Sequence, residues 1–301
     1  MEVSAVIPVC NEERALQNVL SGLKEALLNI GVSHEIIVVD DGSSDGSAVI
    51  ARKFGAKVIS HRRSRGYGAC VKSALKQANG TYIVVVDADV TYPVEALPEL
   101  WKLRKEYDMV VGARDPKALG GLNRRSMGRE AVRRFAQWAT GESIPDVNTG
   151  FRLFKKVDAL KFAHLYPEGF SQVTTITVSY LYSGLTIGYV PIEYRTRVGK
   201  SKIKVNLDGF NFLFLVLRLI AYFRPLKIFI PVSLILLFAA AAVFAQGVFS
   251  AGKFFSVTWL ILLLASLGVF LLGLVADAVS RRRWEHADYA QKADSPDEEE
   301  D

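Results

Sequence analysis

Apolar residues in the N-terminal part of the chain fall into short runs that alternate with longer segments of helical spacing. The short runs are rich in β-branched residues, which predicts buried strands at residues 3–9, 35–39, 56–60 and 82–86. The segments between them predict helices at residues 12–29, from the turn at 40–45 to about residue 54, and at 67–78. This alternation favours an α/β fold with a mostly parallel sheet and helices on both faces.

The pattern continues less regularly further along the chain. Strands are predicted at residues 109–112 and 187–194, and Pro191 places the second at a sheet edge or a bulge, because proline cannot donate to the ladder. Residues 126–140 predict a helix with a basic face, and residues 146–154 a turn that leads into another strand. These segments extend the same sheet domain.

Two long apolar runs without a charge occupy the C-terminal third, at residues 228–249 and 254–276. A membrane-spanning helix needs about 20 such residues, so each run predicts a span, and the short connector predicts a hairpin. The alternative is a buried helical hairpin in a soluble core, although soluble helices usually keep a polar stripe. Just before the spans, residues 205–223 predict an amphipathic helix at the membrane surface, or else an ordinary helix packed on the sheet domain.

These patterns divide the chain into an α/β domain at residues 1–204, the amphipathic helix at 205–225, two spans at 226–279, and a basic flank with an acidic tail at 280–301. Arg224 and Lys227 precede the first span, and three arginines at 281–283 follow the second. Positive flanks mark the cytoplasmic side. The sequence therefore predicts an integral membrane protein with the N-terminal domain on the cytoplasmic face.

Composition refines this picture. The chain carries a net charge of +6 despite its acidic tail, which suits contact with anionic lipid and phosphate. Cys10 and Cys70 lie too far apart to form a metal motif, so reduced thiols fit best. No metal or triad spacing relates the histidines, and this argues against hydrolase-type nucleophilic catalysis. They are His34, His61, His164 and His286.

Carboxylates and other polar residues follow three of the predicted strands, at the edge where such sheets bind ligands. Asp87 and Asp89 follow the strand at 82–86, and a hard divalent ion such as Mg²⁺ or Mn²⁺ prefers such oxygen ligands. A solvated turn is the alternative. Asp40 and Asp41 follow the strand at 35–39 and suit a base N–H or a ribose hydroxyl, while Ser43, Ser44 or Asp45 suits an N-cap. Residues 8–12 follow the first strand.

Three further segments suit anions. Residues 65–68 open a helix with two glycines, which favours an anion or, alternatively, a simple turn. Five arginines cluster at residues 124–134, where Arg125, Arg129 and Arg133 share a helix face. Nucleic acid or solvent could face this cluster, but the spans make lipid phosphate the better partner. Residues 197–202 hold three cations and could close over a phosphate or form a plain juxtamembrane basic stretch.

Taken together, these motifs resemble the family 2 (GT-A fold) glycosyltransferases, above all the dolichol-phosphate mannose synthase group and its bacterial polyprenyl-phosphate relatives. The resemblance runs from about residue 3 to 225. It rests on IPVCNEE at 7–13, VVDDGS at 38–43, RGYG at 65–68, VDAD at 86–89, GAR at 112–114, NTGFR at 148–152 and RVGKSK at 197–202.

The resemblance implies roles for matching positions. The metal ligands would be Asp87 and Asp89, and the catalytic residues Asp89, Arg114 and Arg124. The nucleotide would be bound by Pro8, Asn11, Glu12, Asp40, Asp41, Arg65, Gly66, Asp87 and Ala88. The donor or acceptor phosphates would be bound by Arg114, Arg124, Arg129, Arg197, Ser201 and Lys202. Thr91 stands where the most similar members carry a glutamine that also binds the metal.

The implied reaction moves a hexose from a nucleotide-diphosphate sugar to a polyprenyl phosphate, with inversion at the anomeric carbon and with Mg²⁺ or Mn²⁺ as cofactor. The lipid phosphate has a second pKa of about 6, so it is ionised at neutral pH and needs no general base. GDP-mannose is slightly favoured over UDP-glucose and UDP-N-acetylglucosamine. The expected partners are this donor, the lipid and the membrane, with no nucleic acid. A polysaccharide-extending transferase and a non-catalytic adaptor with a degenerate fold are the alternatives.

Overall fold

The computed structural model describes the backbone of residues 1–114, 124–169, 172–195, 205–251 and 257–294. Side chains are described for the same residues except 124–129, 131–132, 205–213, 249–251 and 281–294. The chain divides into two compact units, Met1–Val216 and Leu217–Asp301. The division falls inside the helix at Val205–Phe223, whereas the sequence placed the end of the sheet domain at residue 204.

A seven-stranded sheet forms the core of the first unit, in the order β3-β2-β1-β4-β6-β5-β7. Its strands are β1 Val3–Val9, β2 His34–Asp40, β3 Lys57–Ser60, β4 Tyr82–Val85, β5 Met109–Arg114, β6 Arg152–Lys155 and β7 Ile187–Ile192. β6 runs antiparallel to both β4 and β5, and every other pairing is parallel. The predicted mostly parallel sheet is confirmed, and β7 with Pro191 lies at its edge, as predicted.

Helices cover both faces of this sheet. Successive side chains of a strand point to opposite faces, and Val6 and Ile7 in β1 are both buried. The helices are α1 Glu13–Ile30, α2 Ser47–Lys53, α3 Tyr67–Gln77, α4 Leu97–Lys102, α5 Arg124–Thr140, α6 Lys156–Phe162, α7 Gln172–Tyr182, α8 Val205–Phe223, α9 Leu226–Ala251 and α10 Val257–Asp294. α1 packs on α2 and α4, whereas α7 contacts α3, α5 and α6. The sequence did not predict α4, α6 and α7.

The second unit contains the two apolar helices that the sequence predicts. Their spans are Leu226–Val248 and Val257–Ser280, with mean hydropathy of 2.7 and 2.6. Only 11% of each span is buried, so most of its apolar surface lies outside any protein core, unlike the core helix of a soluble protein. The two helices pair closely, since Ser266 Oγ donates to Ser233 O at 2.8 Å and a methyl group on Gly273 would lie 2.6 Å from Phe229 Cβ.

Candidate active site

A cleft of about 200 Å³ opens where β1 and β4 end and α3 begins. β1 and β4 are parallel neighbours, so their carboxyl ends deliver side chains to the same edge of the sheet. The cleft is lined by seven residues that the sequence nominated: Pro8, Glu12, Asp41, Gly66, Asp87, Ala88 and Asp89. Its wall also includes Cys10, Ser64, Tyr67 and Cys70, which the sequence analysis did not assign to a site.

Asp89 is held in place by its own chain. Asp89 Oδ1 accepts hydrogen bonds from the Thr91 amide, at 3.2 Å, and from the Thr91 hydroxyl. Both side chains are buried. Val90 between them has φ +57°, in the left-handed region, which is rare for a β-branched residue and costs about 1–3 kcal/mol. Thr91 thus orients the Asp89 carboxylate.

Asp87 lies beside Tyr67 and the backbone of Gly150. A methyl group on Gly150 would lie 2.7 Å from Asp87 Oδ1 and 3.0 Å from the Tyr67 hydroxyl, so only glycine fits there. Burial, and then the negative charge of Asp87, raise the pKa of Tyr67 well above its usual value. The phenol therefore keeps its proton at neutral pH and can donate to a carboxylate. The Gly150 amide is anchored in turn by donating to the Tyr92 hydroxyl at 2.9 Å.

Asp41 fastens the loop between β3 and α3. Its carboxylate accepts from Ser64 Oγ at 2.7 Å, the Arg65 amide at 2.9 Å and the Gly66 amide at 2.8 Å. Burial alone would raise the pKa of Asp41, but hydrogen bonds from His61 and this loop outweigh it and lower the pKa. Asp41 is therefore an ionised carboxylate that shapes the cleft wall.

Backbone amides at the start of α3 donate hydrogen bonds to other groups of the protein. The Arg65 and Gly66 amides donate to Asp41, and the Gly68 and Ala69 amides donate to the carbonyls of Gly169 and Glu168 at 3.2 Å each. Residues 65–68 were predicted to receive an anion. The carboxylate of Asp41 is the anion that this structure places against Arg65 and Gly66.

His61 links Asp41 to α3. Its Nδ1 lies 2.7 Å from Asp41 Oδ1 and its Nε2 lies 2.9 Å from Ser73 Oγ. An ionised carboxylate can only accept, so Nδ1 carries a proton and donates it to Asp41. The sequence could not reveal this pair, because β2 and β3 bring the two residues together only through their parallel pairing.

Three nominated nucleotide-binding residues do not line the cleft. Asn11 and Asp40 brace the turn after β2, where Asn11 Oδ1 accepts from the Ser44 amide at 2.7 Å and Asp40 Oδ1 from the Ser43 amide at 3.1 Å. The Arg65 side chain forms an exposed ion pair with Glu168 at 3.2 Å. Asp45 Oδ1 accepts from the Ser47 amide at 3.0 Å, but the N-cap residue of α2 is Gly46 and not Ser43, Ser44 or Asp45 as the sequence suggested.

Arg114 is committed to a buried ion pair. Its Nε and an Nη donate to the two carboxylate oxygens of Asp146 at 2.6 and 2.9 Å. Burial would raise the pKa of Asp146, but Arg114 outweighs it and lowers the pKa. The pair fixes the segment that leads to Gly150, so the guanidinium predicted to bind phosphate also holds this segment.

Arg152 was noted only as part of a motif, yet it is a fully buried cation. It donates to Thr149 O at 2.7 Å and to Thr177 Oγ1 in α7 at 2.6 Å. Its side chain thereby joins the segment before β6 to a helix that the sequence did not predict. Among the other nominated cations, Arg124 and Arg129 belong to α5 but have side chains outside the described set, and Arg197, Ser201 and Lys202 lie outside the described residues.

The chain matches two protein-family models. One, described as glycosyl transferase family 2, matches residues 4–160, and the other, described as a GtrB C-terminal hairpin, matches residues 224–281. Together they cover β1 to β6, the cleft and the two apolar spans, but not β7.

Curated proteins are similar over half of the chain or more. A dolichyl-phosphate hexose transferase of Haloferax volcanii is 31% identical over 69% of this chain and 89% of its own length. A dolichol-phosphate mannosyltransferase of Pyrococcus furiosus is 29% identical over 68% of this chain and 60% of its own length. An undecaprenyl-phosphate 4-deoxy-4-formamido-L-arabinose transferase of Serratia proteamaculans is 33% identical over 54% of this chain and 52% of its own length. The chain thus spans little more than half of the latter two proteins.

Solved structures share the fold. A glucosyl-3-phosphoglycerate synthase of Mycobacterium tuberculosis superposes with a TM-score of 0.60 at 18% identity, over 72% of this chain and 79% of that one. The same enzyme in complex with Mn²⁺, UDP-glucose and phosphoglyceric acid gives a TM-score of 0.58 at 17% identity, over 72% and 79%. At this identity the likeness establishes the architecture alone.

Proposed function

The chain belongs to glycosyltransferase family 2, and from this premise we propose that it transfers a hexose from a nucleotide-diphosphate sugar to a polyprenyl phosphate. The observation that carries the proposal is the convergence of Asp87 and Asp89 with the ends of β1 and β4 on one cleft. Two features select a lipid acceptor: relatives named for dolichyl or undecaprenyl phosphate, and two apolar helices matched by a hairpin model. GDP-mannose is slightly favoured as the donor.

Asp87 and Asp89 would hold a divalent cation, Mg²⁺ or Mn²⁺. Their donors are all oxygen, which is the set that such hard ions prefer, and both residues line the cleft where a diphosphate would complete the shell. When bound, the ion supplies positive charge against the departing diphosphate. The chain's own contribution is orientation, because Thr91 fixes Asp89 and Gly150 leaves the space that Asp87 and Tyr67 occupy.

The remaining groups divide into a nucleotide side and a phosphate side. Pro8, Glu12 and the loop held by Asp41 form the wall against which the nucleoside would bind. Cations of the α5 region and of residues 197–202 would align the acceptor phosphate with the donor. An ionised lipid phosphate attacks without a base, with inversion at the anomeric carbon. The sheet domain would lie on the cytoplasmic face, with α9 and α10 in the bilayer.

The direct test is a label-transfer assay on the purified full chain in lipid. Radiolabelled GDP-mannose, UDP-glucose and UDP-N-acetylglucosamine are offered separately with a short polyprenyl phosphate, with Mg²⁺, with Mn²⁺ and with a chelator. Metal-dependent label in the lipid phase is the expected result and identifies the sugar. Nucleotide binding without label on the lipid would favour a polysaccharide-extending or non-catalytic protein instead.

The carboxylate assignment is tested by Asp89→Asn, with Asp108→Asn as its matched control. Loss of one metal ligand should lower the transfer rate by about 10²–10³-fold, the range typical for loss of one transition-state stabilising group. Asp108 directly precedes β5, accepts a hydrogen bond from Thr186 and does not line the cleft. Asp108→Asn should therefore keep wild-type activity. Near-normal transfer by a folded Asp89→Asn protein would refute the assignment.

A further inference from the structure

A second group of metal-binding side chains lies at the nucleotide end of the cleft, in the described part of the chain. A carboxylate oxygen of Asp41, a ring nitrogen of His61 and the sulfur of Cys70 all lie within 4.8 Å of one another. All three are well buried: the side chains of Asp41 and His61 are 6% and 7% exposed, and Cys70 as a whole residue is 1% exposed. Asp41 directly follows β2, His61 directly follows β3, and Cys70 lies in the first turn of α3.

The chemistry of this group differs from that of Asp87 and Asp89. A thiolate, an imidazole and one carboxylate are the donors found in zinc sites, whereas Mg²⁺ and Mn²⁺ favour oxygen donors alone. A tetrahedral ion with three protein ligands keeps one position open, as in catalytic zinc sites. Asp41 and Cys70 both line the cleft, so this fourth position would be accessible from it.

The surrounding contacts suit such a site. Ser73 Oγ lies 2.9 Å from His61 Nε2, and Ser64 Oγ donates to the other oxygen of Asp41 at 2.7 Å. Partners of this kind orient metal ligands. On binding through Nδ1, the imidazole loses its proton there and gains one at Nε2, which then donates a hydrogen bond to Ser73 Oγ. The Cys70 thiol loses its proton to solvent, so one proton is released for each ion bound.

We propose that Asp41, His61 and Cys70 form a second metal site, selective for Zn²⁺ over Mg²⁺, whose occupation blocks the nucleotide end of the cleft. The blocking part rests on the proposed function, because Asp41 holds the Ser64–Gly66 loop on the nucleotide side. A bound ion would take over the Asp41 oxygen that now accepts from His61 and the Arg65 amide, and so release that loop from Asp41. Zn²⁺ is then an inhibitor that acts apart from the ion at Asp87 and Asp89.

The site is tested with Co²⁺, which takes zinc sites and absorbs in the near ultraviolet when a thiolate binds it. The purified full chain is titrated with Co²⁺ alone, and Zn²⁺ is then added. A band that one equivalent of Zn²⁺ abolishes is the expected result. The chain contains two cysteines, so the sulfur can be assigned by comparing Cys70→Ala with Cys10→Ala. The band should vanish in Cys70→Ala and persist in Cys10→Ala.

A histidine pair gives an independent check if Cys70→Ala fails to fold. His61→Asn should weaken Co²⁺ binding at least tenfold, because it removes a direct ligand; loss of an outer partner alone costs about 10–100-fold. His34→Asn is the matched control, since His34 lies at the opposite end of β2 with Nδ1 2.9 Å from Val32 O. No band in a folded wild-type protein, or a band that needs Cys10 and not Cys70, overturns the site.

The inhibitory consequence is measured separately, as the Zn²⁺ concentration that halves sugar transfer at saturating Mn²⁺. That concentration should rise at least tenfold in His61→Asn, relative to the same variant's rate without Zn²⁺. Equal inhibition of wild type and His61→Asn would assign the effect to Asp87 and Asp89 and refute blocking. The Co²⁺ titration needs no turnover. It therefore tests metal binding at Asp41, His61 and Cys70 even if the protein transfers no sugar.

Discussion

Val90 and Thr91 determine how the Asp89 carboxylate is oriented in the cleft. Val90 is held in a left-handed conformation that suits its type poorly, and the strain lies between Asp89 and the threonine that orients it. Such strain persists only where surrounding contacts enforce it, and it clusters at functional sites. The turn at Asp89 therefore combines a strained backbone with hydrogen bonds from the Thr91 amide and hydroxyl to the Asp89 carboxylate.

Replacing Thr91 should weaken metal use without removing a ligand. Thr91→Val deletes the hydroxyl that donates to Asp89, and a hydrogen bond to a charged group contributes about 1.5–3 kcal/mol. We expect the Mn²⁺ concentration for half-maximal transfer to rise by about tenfold or more, and Thr91→Ser to restore it. Unchanged metal dependence in Thr91→Val would show that the hydroxyl does not position Asp89.

Asp41 should give the domain a dependence on acidic pH. Its pKa is lowered in the folded state, so its contribution to stability is complete above the unfolded value of about 3.9 and is lost as pH falls through the folded pKa. Unfolding temperatures of wild type and Asp41→Asn should therefore differ most near neutral pH and converge below about pH 4. A gap that stays constant down to pH 3 would contradict this linkage.

At the scale of elements, the cleft depends on how closely α3 approaches the segment before α7. A methyl group on Gly68 would lie 1.9 Å from Pro167 O, and one on Gly66 would lie 2.5 Å from Glu168 O. Both oxygens belong to backbone, which cannot yield as a flexible side chain can. The start of α3, which lines the cleft, is thus seated directly against residues 167–169.

Gly68→Ala should accordingly destabilise the protein, although alanine is the better helix former by about 1 kcal/mol. We expect a loss of about 1–3 kcal/mol from overpacking, measured as a lower unfolding temperature of the full chain in detergent. Gly169→Ala serves as the control, because a methyl group there meets nothing within 4 Å. Equal stability of the two variants would mean that α3 moves away from Pro167 without penalty.

The elements that the sequence predicted are those whose residues carry a local signal. β1, β2 and β4 are β-branched and apolar, and α1 has a clear apolar stripe, so their periodicity revealed them. α7 lacked that signal because its residues from Gln172 to Tyr180 are all buried, so that no polar face alternates with an apolar one. Its buried threonines Thr174 and Thr177 bond to Asn148 and Arg152, which the sequence pattern could not reveal. α4 and α6 are too short to show a period.

The candidate site was predictable to the same degree. Asp87, Asp89 and Asp41 follow apolar strands, and parallel strands bring their ends together, so their convergence could be inferred. The contacts of His61 with Asp41, of Arg114 with Asp146 and of Gly150 with Asp87 could not, because each depends on the register between distant segments. Sequence pattern identifies which residues reach the edge, and tertiary packing decides what each one touches.

For the whole molecule, the two apolar helices set the topology. Two crossings return the chain to the side on which it started, so residues before α9 and residues after α10 should share one face of the membrane. From the positive residues on both flanks we expect that face to be the cytoplasmic one.

A single-cysteine labelling experiment tests this arrangement. With Cys10 and Cys70 replaced by alanine, one cysteine is introduced at Glu2 and, in a second protein, at Ser250 between the spans. In intact cells a membrane-impermeant maleimide should label position 250 alone, and in inverted vesicles position 2 alone. Labelling of both positions from the same side would exclude a hairpin that crosses the bilayer.

The antiparallel strand β6 has a consequence for how the chain assembles during synthesis. β3, β2, β1 and β4 form a contiguous parallel half-sheet and come before the other strands along the chain, while β5 joins this half-sheet only through β6, which lies between β4 and β5. One edge of β4 therefore stays unpaired until β6 is available. Pairing between strands so distant in sequence is slow. Asp87 and Asp89 follow β4, and Gly150 precedes β6. The Gly150 wall of the cleft therefore forms only when β6 pairs with β4. Completion of the cleft is thus a late step of sheet assembly, and a chain that stalls before β6 would present the Pro8 and Asp41 side of the cleft without its Gly150 wall.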